Sequence, residues 1–73
     1  MFDFSKLTGR IVEKFGTRAA FAEAAGYSEP TLSCRLNNKI PFDCEEIDRI
    51  CQPELLDIAP EEIPLYFFTR KVR

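Results

Sequence analysis

Apolar residues recur along this chain at helical spacings, and the polar residues between them supply the punctuation of short helices. Leu7, Ile11 and Phe15 repeat every fourth residue, which predicts a first helix from Ser5, its N-cap, to about Phe15. Thr17 is the natural cap for a second helix, Arg18 to Ala25, rich in alanine and ended by Gly26. Ser28 caps a third, with Glu29 against the positive end of its dipole and Pro30 in the first turn, where an N–H has no intrahelical partner anyway. Asn37-Asn38-Lys39 closes that helix, Asn being tolerant of a left-handed cap. After the link Ile40-Pro41-Phe42, its hydrophobes turned inward, Asp43 caps a fourth helix, CEEIDRIC, with Ile47, Ile50 and Cys51 on its apolar face. Pro53 ends or kinks that helix, so Glu54-Leu55-Leu56 is a separate turn or a bent continuation. Pro60 opens a short fifth helix, PEEI, before Pro64.

These elements make an all-α, compact five-helix domain over residues 1–73, with a short extended aromatic C-terminal tail, Leu65 to Phe68. At least two of the tail's rings should pack against the first helix, and an exposed remainder would be a dimerisation or partner patch. Within this frame residues 17–38 read as a helix-turn-helix. Phe21, Ala22, Ala25, Tyr27, Leu32 and Leu36 form one apolar seam, and the small Ala22 lets the two helices cross closely.

If the helix starting near Ser28 enters a DNA major groove, its outward residues Ser28, Glu29, Thr31, Ser33, Cys34 and Arg35 face the bases. Arg35 is the strongest of them, because Arg grips guanine O6 and N7 with two bonds, although it can also bind phosphate. Glu29 can accept from cytosine N4 or simply complement the helix dipole. Thr17, Arg18, Asn38 and Lys39 are the candidates for phosphate contacts, which fix register without reading sequence. Lys6, Arg10 and Lys14 form a basic stripe that reads as a solvated face or as one or two further phosphate contacts.

Charge complicates this picture. The net charge of −2 is unevenly spread: residues 1–42 carry +2, residues 43–62 carry −7 and residues 63–73, Arg73 included, carry +3. That is a thin positive surface for a DNA binder. Composition, 45% hydrophobic and 30% charged, suits a soluble folded domain. No apolar run is long enough to cross a bilayer and the start is not a signal peptide, so a cytoplasmic protein with no membrane partner is expected. Cys34, Cys44 and Cys51 have no C-x-x-C pairing and there is no His, so they are expected to be reduced and passive, with no metal and no cofactor. An enzyme is not expected either: no base stands near a Ser or Cys nucleophile, and there is no Gly-rich phosphate loop.

The stretch GTRAAFAEAAGYSEPTLSCRLNN resembles Cro/repressor-type (XRE-like) helix-turn-helix domains of temperate phages and their hosts. The match runs through Phe21-Ala22, where that family often has Leu-Ala, then Ala25-Gly26, Tyr27-Ser28, Thr31-Leu32-Ser33 and Leu36-Asn37-Asn38-Lys39. SKLTGRIVEKFGT and the ending YFF resemble one compact subgroup of small phage proteins, so the likeness covers nearly the whole chain. One extra residue between Leu32 and Leu36 departs from the commonest pattern and shifts the face presented by Cys34 and Arg35. The resemblance implies a lambda-repressor-like fold and a Cro-like transcriptional regulator on double-stranded operator DNA, as a homodimer covering two half-sites or as monomers held by the DNA. Its alternative is a modulator of repression, an antirepressor that binds the phage repressor protein and masks its DNA-reading face. The acidic block 43–62 would then mimic or meet a basic DNA-binding surface, and changes at Glu45 or Glu46 should weaken repressor binding.

Overall fold

The computed structural model describes residues 1–71; Arg73 of the basic tail lies outside them. Five α-helices follow one another: α1 (Ser5–Phe15), α2 (Arg18–Ala25), α3 (Glu29–Leu36), α4 (Cys44–Ile50) and α5 (Ile63–Phe67). Local side chains start most of them. Thr17 Oγ1 accepts from the Ala20 N–H and Ser28 Oγ from the Thr31 N–H. Asp43 and Glu46 form a reciprocal capping box on α4, satisfying two N–H groups that the helix itself cannot. Ser5 is not the cap of α1 but its first residue. Phe4 is the N-cap and supplies no side-chain hydrogen bond, while the Asp3 carboxylate, one residue earlier, accepts the Ser5 N–H at 2.8 Å.

The core collects residues from every helix. Leu7, Ile11, Phe21, Leu32, Ile50, Leu56 and Phe67 are fully buried, and no polar or charged residue among those described joins them. Truncating any one of the seven to alanine leaves a cavity costing about 2–5 kcal/mol. That is a large share of a small domain's stability.

The C-terminal third departs from expectation. Residues 51–56 form a separate turn after α4, and residues Pro60–Glu62 a single 3-10 turn that runs directly into α5. Both prolines sit in first turns, where their missing N–H costs nothing. The aromatic stretch is therefore mostly helical, and Phe67 is driven inward against Phe42 with ring centroids 5.3 Å apart. Helix α5 packs against α1; Phe67 also meets Phe42, and Phe68, just past the helix, meets the Phe2 ring edge-on at 5.6 Å. Only beyond Phe68 is the chain extended. There Phe2 and Arg70 form an antiparallel bridge, flanked by Asp3 N–H to Thr69 O at 2.7 Å and Lys71 N–H to Met1 O at 3.2 Å.

Candidate functional site

On α3 the structure separates residues that the sequence grouped together. Ser28 and Glu29 are exposed, while Thr31, Ser33, Cys34 and Arg35 are half-buried. Ser28 Oγ also donates to Thr31 Oγ1 at 2.7 Å, and Asn37 Nδ2 donates to Ser33 Oγ at 3.1 Å. Arg35 is not free to reach outward. Its Nε donates to Glu46 Oε1 at 2.9 Å, and the two side chains are only 17% and 12% exposed. Burial pushes the Glu46 carboxyl up, but donors from Arg35, the Asp43 N–H and Tyr27 outweigh it and hold its pKa at about 2. The Tyr27 phenol, donating to the same oxygen at 2.7 Å, is pushed well above its ordinary value by burial and by that carboxylate. Glu46 is thus a structural anchor joining the α2–α3 turn, α3 and α4, rather than an exposed acid. Glu45 remains exposed, as do Asp43, Asp48, Glu54, Asp57, Glu61 and Glu62, so the acidic block forms a solvated face.

Among the phosphate candidates, Thr17, Arg18 and Lys39 are exposed, with the Thr17 hydroxyl already capping α2. Asn38 is committed within the chain. It sits at φ 63°, and its carboxamide pairs with both the N–H and the C=O of Phe2. Nor is Arg10 part of a solvated stripe: Nε and Nη2 donate to the Leu56 and Asp57 carbonyls at 2.9 and 2.7 Å, pinning the turn after α4 to α1. Cys51 is buried, Cys34 half-buried and Cys44 exposed.

What the sequence did not reveal is an apolar groove of about 330 Å³ between the N-terminal segment, the link after α3 and α5. Phe2, Phe42 and Phe68 line it together with Met1, Ile40 and Pro41. Phe4 lies beneath, edge-on to Phe42 at 5.5 Å. Met1, Ile40 and Phe68 are 79%, 45% and 50% exposed, so three of the five exposed large hydrophobics among the described residues line this groove. Among the described residues, the only charged or amide side chains in its wall, Arg35 and Asn38, are already hydrogen-bonded within the chain. Such a groove suits the apolar side chains of a macromolecular partner rather than a polar substrate. Among the described residues no group of three or more His, Cys, Asp or Glu could hold a metal ion, and no helix is long and apolar enough to cross a membrane.

Comparison with known proteins corrects the leading functional expectation. The chain is similar to a solved structure, the modulator of repression (MOR) of the temperate bacteriophage TP901-1 from Lactococcus lactis. The two share 43% identity over 99% of this chain and 95% of that one, with a TM-score of 0.81. A search of curated proteins returns no match. A Cro-like regulator reading operator DNA is therefore not the reading these findings favour: the full-length likeness is to a modulator of repression, the alternative. The intramolecular pairing of Arg35 agrees with that correction. The family model described as "Protein of unknown function (DUF739)" matches residues 1–70, and the chain belongs to that family.

Proposed function

We propose that this protein is a phage modulator of repression that binds a repressor protein and keeps it from its operator. The observation that carries this reading is the 43% identity, over nearly the whole of both chains, to a phage modulator of repression. The α2–turn–α3 unit is read here as a helix-turn-helix of the Cro/repressor kind, kept as a scaffold. Docking falls to the groove of Phe2, Phe42 and Phe68, which takes apolar side chains of the repressor. The acidic face of residues 43–62, with seven exposed carboxylates, complements the basic surface that a DNA-reading protein must carry and speeds encounter. The protein acts by binding alone, without catalysis or cofactor, in the cytoplasm where repressor and operator meet.

The test is a competition. Fluorescent operator DNA is loaded with the repressor of the temperate phage that encodes this protein, and the protein is titrated in while anisotropy is followed. The expected result is stoichiometric release of the repressor from DNA, with a repressor–modulator complex on size-exclusion chromatography. A repressor that stays on its operator and forms no complex overturns the reading.

A further inference from the structure

One wall of the groove is a strap, residues 1–4, and its placement depends on a side chain far away in sequence. Asn38 lies just beyond α3 in the left-handed region, at φ 63°, where the Lys39 and Ile40 N–H groups both turn back to the Cys34 carbonyl. Glycine is the residue most at home in that conformation. The carboxamide of asparagine adds something glycine lacks. Asn38 Oδ1 accepts the Phe2 N–H at 2.9 Å and Nδ2 donates to the Phe2 C=O at 2.9 Å, across 36 residues of sequence. One side chain thereby imitates the edge of a β-strand. The opposite edge of the strap pairs with residues 69–71, so its peptide groups are held from both sides.

The consequence falls on the groove more than on the core. Phe2 is only half-buried and Met1 is exposed, whereas the centre of the core is built from α1 to α5 and the turn after α4. With the carboxamide in place, the Phe2 ring is set edge-on to Phe68, and the groove has a fixed wall. Without it, one edge of the strap loses both hydrogen bonds, and the wall must be ordered again whenever a partner docks.

We propose that Asn38 is a positioning residue for partner docking, a latch that pre-forms the aromatic groove by holding the strap. This rests on the docking reading given above, with the repressor's apolar side chains as the occupant. A receptor whose competent form is only fractionally populated loses apparent affinity by that fraction.

The experiment uses the full chain, its Asn38→Gly variant and its Asn38→Asp variant, each titrated with the repressor of the temperate phage that encodes the protein. Asn38→Gly keeps the left-handed backbone and removes both bonds; Asn38→Asp keeps the acceptor and loses the donor. Amide hydrogen exchange at Phe2 and at the core residues Ile11 and Ile50 is followed in parallel. The expected result is repressor affinity roughly tenfold weaker for Asn38→Gly, the scale of two lost hydrogen bonds, and intermediate for Asn38→Asp. Protection should be lost at Phe2 and kept at Ile11 and Ile50. Unchanged affinity in both variants overturns the latch while leaving the docking reading intact. Protection lost equally at Ile11 and Ile50 also overturns it, by making Asn38 a residue of the fold. Failure of the wild-type chain to bind the repressor overturns the docking reading, and the latch with it.

Discussion

Arg35 on α3 and Glu46 on α4 form a sheltered ion pair, with Nε and Oε1 2.9 Å apart and side chains 17% and 12% exposed. A fully exposed pair would contribute little. Here the same carboxylate oxygen also receives the Tyr27 hydroxyl, and the other accepts the Asp43 N–H, so removing Glu46 strands three donors at once. The pair explains how a residue well suited to gripping guanine becomes part of the scaffold.

Acid should therefore weaken the fold in a defined window. Glu46 titrates at about 2 in the folded chain, against an ordinary carboxylate value of 4.5 that approximates the unfolded one. Its stabilisation is complete above about pH 4.5 and is lost as the pH falls from there through 2. Urea melts at pH 7 and pH 3 check this: Glu46→Gln should cost about 1–3 kcal/mol at pH 7 and less at pH 3, which lies part-way down the window. An equal cost at both values would show that the charge is not what matters.

Arg10 gives a second prediction. Its guanidinium spans the Leu56 and Asp57 carbonyls and also pairs with Glu13, while its side chain is 21% exposed. Arg10→Ala should destabilise the protein by about 1–3 kcal/mol, the scale of its lost charge-assisted hydrogen bonds. Arg10→Lys should recover only part of that, because an ammonium on a flexible stem lacks the planar fork that meets two carbonyls together. Thermal melts of the three proteins would rank them; a lysine variant as stable as wild type would contradict the fork geometry.

The reach of each interaction explains what was legible in the sequence. Helices α2 to α4 could be read because Thr17, Ser28 and Asp43 cap N–H groups only three residues ahead. Helix α5 could not, since two prolines suggested a break. What decides its course is burial of Phe67 against Phe42, remote in sequence. The candidate site was less visible still. Arg35 finds Glu46 11 residues away, Asn38 finds Phe2 36 away and Arg10 finds Leu56 46 away. No local periodicity encodes such pairings. The groove likewise draws its rings from both ends of the chain and its middle, and the exposed face of α3 alone does not distinguish DNA from a protein as partner.

Gly26, which ends α2, has φ 81°, in the left-handed region. A Cβ added there would meet only Arg49 Nη1 at 3.9 Å, an ordinary contact, so steric crowding is not the obstacle. Backbone conformation is. Gly26→Ala should cost about 1–2 kcal/mol. In a domain of this size that lowers Tm by roughly 4–16 °C, and Gly26→Asn should cost less because Asn tolerates the region better. Alanine and asparagine variants melting together would point away from a backbone origin.

The groove and the acidic face should respond differently to mutation and to salt. Phe68 is 50% exposed and Ile40 45%, so truncating either removes little core packing and should leave Tm within a few degrees of wild type. If these side chains form the apolar centre of the repressor interface, Phe68→Ala should weaken binding roughly thirtyfold or more, the scale of a hot spot, mainly through faster dissociation. Glu45→Gln and Glu62→Gln, on the exposed acidic face, should instead slow association by a few-fold and flatten its salt dependence while leaving dissociation nearly unchanged. Surface plasmon resonance at two ionic strengths separates the rates. If Phe68→Ala left both rates untouched and the two acid variants accelerated dissociation, the acidic face would be the docking centre and the aromatic groove would not.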